Sequence, residues 1–568
     1  MLLLSGPVFL RISYVPLALC GNLAGKRDKK GRQFEMRAGI HALAAALATL
    51  LVAMAICGPT AAQKQGGVLR EYMIDSPASM SIHEEATVFS ERPMMAVFNN
   101  LVLFDQHVKQ NTLASVVPDL ATGWSWNEDG TELTFPLRQG VAWHDGKPFT
   151  AKDVKCTWDM LIGKSSDKLR LNPRKSWYRN LEEVTTNGDV EVTFHLKRPQ
   201  PGFLALLAAG WSPVYPCHVP PRDMRAHPIG TGPFKFVDFK PNEHIRVARN
   251  ANYWKKGYPY LDAIEYTISR NRSTAVLAFI AGKYDLTFAG SVSIQLMHDI
   301  QSQLPEAICE SNPGSVNTNL IVNRNASPFD NPELRRAMTL SLDRKAFVNI
   351  LTEGQGNLGG VLQPPPGGSW GVPSDVLQSL PGYGADVAKN RAEARQLMDK
   401  LGYGADRRLK IKVSTRDTPN YRDPTVILID QLKEVYIDGE LEPIDTTNWF
   451  PKITRKDFAV GLNLTGGFVD DPDPTFYANY VCSAESNYNG YCNPEVDKLV
   501  DQKSMEGDQQ KRKNLAWEIE RSLAEDDARP IIYYNRGGIC WRPYVKGLTV
   551  MVNSIFNGWR MEDVWLNQ

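Results

Sequence analysis

The chain has 568 residues, 43% hydrophobic and 22% charged, which suits roughly two to four folded domains and excludes a disordered polymer. With residues 1–62 set aside, 57 Lys and Arg stand against 61 Asp and Glu, a formal charge of −4 on 506 residues. No basic stripe or tail survives there, so nucleic acid is not expected as a partner.

Residues 1–62 read as an export signal. Basic residues from Lys26 to Arg37 precede an apolar run, Ile40 to Ile56, which ends in Thr60-Ala61-Ala62, with cleavage expected after Ala62. The run has 17 residues, includes His41 and Thr49, and is short of the about 20 apolar residues of a membrane span. Met36 is a second candidate start. Cys20 follows Leu19 and Cys57 follows Ile56, where a lipid-attachment site needs a small residue, so the mature protein is expected to be soluble.

Along the remaining chain, Met94, Val97, Phe98 and Leu101 share one face and predict a helix over 92–104. Thr131 to Arg138 alternates as a strand that Pro136 confines to an edge or bulge. Thr150 with Asp153 caps a helix whose buried face is Val154, Trp158, Leu161 and Ile162. Asn187-Gly188 marks a hairpin. Asn331-Pro332-Glu333 opens another helix, and Asp343 caps one with Ala346, Phe347, Ile350 and Leu351 inward. Helices over 391–401 and 425–435 and a strand over 457–464 follow, giving mixed α/β order without an internal repeat. The Pro- and Gly-rich stretches 363–373 and 470–474 read as long irregular loops.

Chemistry motifs fail on context. Gly367-Gly368-Ser369-Trp370-Gly371 has the G-x-S-x-G spacing of a nucleophile, but prolines surround it and no strand–turn–helix exposes Ser369. Gly354 to Gly359 has the G-x-G-x-x-G spacing without a following helix to hold a pyrophosphate. The histidines lack metal-ligand spacing, so no metal and no cofactor are expected. Six cysteines remain after residue 62; Cys482 and Cys492, flanking a short polar loop, are the expected disulfide. The run Asp470-Asp471-Pro472-Asp473 fits a solvated loop, an acid/base pair or a cation site.

A longer pattern carries more. Pro118-Asp119-Leu120-Ala121, Asp129-Gly130, Leu137-Arg138, Trp143-His144-Asp145-Gly146, Gly230-Thr231-Gly232-Pro233-Phe234, Leu334-Arg335-Arg336-Ala337 and Asn493-Pro494-Glu495 resemble, in order, the signature of the peptide/nickel-type extracellular solute-binding proteins (family 5). The resemblance implies an α/β, two-lobed periplasmic binding protein, type II-like with an extra amino-terminal domain, its lobes hinged around a central ligand cleft. It divides the chain into a first lobe from 63–95, 229–325 and 545–568, an inserted domain over 96–228, and an opposing lobe over 326–544.

The function so implied is not enzymatic: a periplasmic monomer captures a peptide-like or other small solute and passes it to the permease subunits of an ABC importer in the inner membrane. Asp470 aligns with an aspartate that pairs with a ligand ammonium, and Asp473 is expected to face solvent or cap the loop. Phe468, Met80, His83 and Tyr534 complete the expected ligand-binding set. Gly467 stands where the family often has Trp, and Met80-Ser81-Ile82 replaces its Leu-Asp-Pro, so dipeptide specificity is not implied. Other cargoes are an oligosaccharide, an opine-like conjugate or a metal chelate; a secreted hydrolase would rest on Ser369 alone.

Overall fold

In the computed structural model, which describes residues 63–568, the chain enters on the strand Val68–Met73. This strand lies parallel to Ala263–Ile268, which is followed outward by His244–Arg249 and Phe234–Lys240, both in antiparallel pairings. Ile264, Tyr266 and Ile268 alternate inward, as a half-buried strand requires. The export segment lies outside the described residues.

A second four-stranded sheet orders Ser125–Trp126, Glu132–Pro136, Glu191–Leu196 and Leu181–Asn187. Gly188 turns its hairpin at positive φ, 61°, as the Asn-Gly pair predicts. Pro136 is the last residue of its strand, beyond the reach of the two-residue neighbour. Over this sheet packs the helix Ala151–Leu161, where Thr150 and Asp153 form the expected capping box. One continuous core joins both sheets and includes Trp158, Phe194, Val564 and Leu566.

The opposing lobe has a five-stranded sheet in the order Ile437–Ile444, Leu409–Arg416, Val460–Gly466, Ile308–Val322 and Ile531–Trp541. Its core is separate, built on Leu320, Phe347, Val413 and Leu462. Two long strands connect the lobes. Ile308–Val322 and Ile531–Trp541 pair antiparallel, their first-lobe ends tied by a Cys309–Cys540 disulfide and a bridge from Leu286 to Trp541. Between Pro313 and Asn317 their register shifts, where Pro313 has no N–H for the ladder.

Three expectations change. The helix expected over 92–104 is Val88–Met95, capped by Thr87, and its continuation becomes the strand Val102–Phe104. The carbonyls of Ala96 and Val97 accept instead from Phe234 and Gly232, and these residues are buried on every side, so helical spacing carried no directional information. In the helix Arg344–Thr352, Phe347 and Val348 are buried but Ile350 is 64% exposed. The acidic stretch is no irregular loop: Asp471 caps the helix Pro472–Asn479, with Pro472 at its first position.

Candidate functional site

The termini of these elements converge between the lobes on a cavity of about 140 Å³. The first lobe supplies Thr87 and Phe89 from a helix start, Trp177, Trp211 and Phe288. The opposing lobe supplies Arg416 from the end of its strand, Tyr421, Thr465, Asn479, Tyr488 and Arg529. Nine aromatic side chains line the space, and among the described residues no Asp or Glu does. Gly466 is required: a Cβ there would lie 2.2 Å from the Phe556 ring, which packs 4.8 Å from Phe468.

Three guanidiniums face the cavity, each held differently. Arg416 bridges the lobes, 3.1 Å from Asp75 and donating to Thr446 Oγ1 at 2.7 Å. Arg174 stacks 4.2 Å over Trp211 and donates to the carbonyls of Glu85 and Ile82; burial pulls its pKa down to about 10, opposed by the nearby Glu91. Arg529, 3% exposed, donates to Asn319 Oδ1 at 2.8 Å, Asn479 Oδ1 at 3.0 Å and Thr465 Oγ1 at 2.7 Å. It also reaches the Ser486 carbonyl at 3.4 Å, and all four acceptors are neutral.

Polar contacts hold the lobes together around this space. Arg270 reaches Asp75 at 3.2 Å and Asp445 across the cleft at 2.9 Å, and Arg198, just after the strand Glu191–Leu196, meets Asp501 at 2.5 Å. This is a closed arrangement.

Of the residues expected from sequence, Phe468 lines the cavity. Asp470 and Tyr534 line a smaller neighbouring space. Asp470 accepts from the Ser369 backbone at 3.0 Å and hydroxyl at 2.6 Å, and burial pushes its carboxyl up. Tyr534 donates to the carbonyls of Val361 and Gly360. Met80 and His83 lie inside the first lobe, where His83 Nε2 is 3.0 Å from the Pro213 carbonyl and burial pulls its imidazole down to about 3. Ser369 sits in turn and bend backbone.

Asp473 corrects an expectation: it is fully buried, paired with Lys503 and 3.1 Å from Arg512, and hydrogen-bonded by Gln200 across the lobes at 2.7 Å. Burial alone would raise its pKa, but the two cations outweigh that and hold the carboxyl below its ordinary range. The structure pairs Cys482 with Cys492 and adds Cys156–Cys217 and Cys309–Cys540, pairs that sequence spacing did not suggest. Sequence reasoning also missed the three arginines. The available signal was Arg529 directly before the apolar run Pro530-Ile531-Ile532, a charge where a strand should be dry. Among the described residues, no helix is long and apolar enough to cross a membrane, and no cluster of His, Cys, Asp and Glu is placed to hold a metal.

Comparison with known proteins agrees with this geometry. Residues 115–487 match the family model for the middle part of bacterial extracellular solute-binding proteins, family 5. The oligopeptide-binding protein AppA of Bacillus subtilis is 27% identical over 469 residues, covering 76% of this chain and 81% of AppA. The solved structure of DppA from Helicobacter pylori with the peptide STSA superposes with TM-score 0.77 at 21% identity, covering 89% of this chain and 99% of that one. AgaA of A. tumefaciens R10 with agropinic acid gives 0.74 at 20%, covering 88% and 99%. Both neighbours share the two-lobed α/β fold. The chain belongs to the bacterial extracellular solute-binding proteins of family 5, a family of binding proteins.

Proposed function

We propose that this chain is the solute-binding component of an ABC importer, exported by residues 1–62, working in the periplasm as a monomer, and delivering a peptide-like or other small solute to permease subunits in the inner membrane. In this reading 63–95, 229–325 and 545–568 form the first lobe, 96–228 the insertion and 326–544 the opposing lobe, with the strands Ile308–Val322 and Ile531–Trp541 running across the boundary between them. The two long strands are the hinge, bending where their register shifts. The carrying observation is a cavity enclosed between lobes whose facing residues are paired across the cleft. A polar group taken into such a space must find a partner, so enclosure converts fit into selectivity. That AppA is named for oligopeptides and AgaA is solved with agropinic acid supports one scaffold serving unlike solutes.

The test is mass spectrometry of small molecules released on denaturation, followed by X-ray scattering with and without the released molecule. The expected result is one bound solute per chain, with a smaller radius of gyration when it is restored. A radius that ignores the solute would overturn the reading.

A further inference from the structure

The cavity contains an imbalance of charge that the protein itself does not resolve. Arg416 has Asp75, and Arg174 has the Glu85 and Glu91 carboxyls within electrostatic range. Among the described residues, Arg529 has no carboxylate partner. Burial pulls its pKa down, and only the hydroxyls of Tyr480, Tyr488 and Tyr421 oppose the shift. An enclosed cation without a counter-ion is costly, and such a group is retained where a ligand supplies the opposite charge.

The hydrogen-bond count indicates where that charge sits. Thr465 Oγ1 accepts from Asn319 Nδ2 at 3.0 Å and from Arg529 Nη2 at 2.7 Å, so both its lone pairs are used. Its own hydrogen has no acceptor among the described residues. Arg529 Nη2 carries two hydrogens and gives one to Thr465, leaving the other. Thr465 and Arg529 both line the cavity, so one O–H and one N–H are left beside an unbalanced positive charge. Nine aromatic side chains share the remaining walls with neutral amides and hydroxyls such as Asn420, Asn463 and Ser486, and among the described residues no acidic side chain lines the cavity to receive an ammonium.

We infer that the solute is an aromatic or similarly flat apolar molecule bearing a carboxylate and no free amine, with its acid on Arg529 and Thr465 and its body among Trp177, Trp211 and Phe468. This rests on the solute-binding reading and narrows it. An apolar body gains from the aromatic walls, while the single acid neutralises the buried guanidinium.

The experiment is titration of the purified chain by tryptophan fluorescence and calorimetry with a panel of aromatic monocarboxylates, from phenylacetate to N-acetyltryptophan. Each acid is matched to its primary amide, and dipeptides with free amines complete the panel. At least one acid should bind with an amide weaker by about 30-fold or more, the loss expected when a buried charge pair loses one member. Arg529→Gln should abolish the preference for acid over amide. If that variant does not fold, Arg529→Lys should keep the preference and Thr465→Val should reduce acid binding by roughly 3- to 10-fold, the size of one hydrogen bond. Equal binding of acid and amide, tighter binding of an amine-bearing peptide, or no binding of any acid overturns the inference. If denaturation releases a neutral or cationic solute, this inference falls while the solute-binding reading stands. If no solute of any class binds or closes the lobes, both fall.

Discussion

The acidic run at 470–473 and Arg529 at the cleft are both buried charges of the opposing lobe, yet their surroundings differ. Asp471 is bidentate with Arg512 at 2.6 and 2.9 Å, and Asp473 is shared by Lys503 and Arg512, so acids and bases cancel inside the fold. Arg529 is held in place by neutral amides, a hydroxyl and the Ser486 carbonyl, and among the described residues no carboxylate offsets its charge. Cancellation marks a structural joint, whereas a remainder at the wall of a cavity marks a place for something from outside.

The comparison breaks first at Asp473. Asp473→Asn leaves Lys503, itself fully buried, without its partner, and should destabilise the chain by about 3–5 kcal/mol in urea unfolding. A loss below about 1 kcal/mol would show that the cluster is not a joint. Glu520 sharpens the contrast as a buried acid with no cation beside it among the described residues: burial lifts its carboxyl to about 8 against the backbone N–H groups of Leu362 and Val361. The folded chain therefore keeps a proton that the unfolded chain releases near 4.5, so stability falls as pH rises between those values, by on the order of a few kcal/mol. Melting curves of Glu520→Gln across pH 5 to 8 should lose that slope; an unchanged slope would remove Glu520 as its cause. The smallest effect is at Asp470, whose oxygens serve Ser369. Asp470→Asn should lower stability by about 1 kcal/mol and leave solute affinity within a few-fold by calorimetry. A hundredfold loss of affinity would return Asp470 to the role of ammonium anchor.

Local signals were legible where they depend on short-range stereochemistry. The capping box at Thr150 and Asp153, the turn at Gly188 and the cap at Asn331 need only their own few residues to specify them. The segment 92–104 was not legible, because its end is set by carbonyls bonding to residues near 232, more than 100 positions away. Asp473 misled for the same reason: its partners Lys503 and Arg512 are contributed by two later helices, so the sequence displays an acidic run while the fold contains a neutral cluster. The cleft arginines lie at 174, 416 and 529, a spacing that carries no local pattern. The family resemblance supplied the lobes and the cleft, but not which charges the cleft leaves unpaired.

The first-lobe core contains side chains from both extremes of the described chain: Leu69 packs in the same cluster as Trp559, Val564 and Leu566, and Lys64 Nζ donates to the Gln568 carbonyl at 2.8 Å. The lobe that begins first therefore finishes last. Until the final two dozen residues emerge, its sheet lacks part of its cover, and closing so long a loop is entropically slow. A chain that threads through a membrane must stay unfolded while it passes, and this topology withholds the completed lobe until the carboxyl end has arrived.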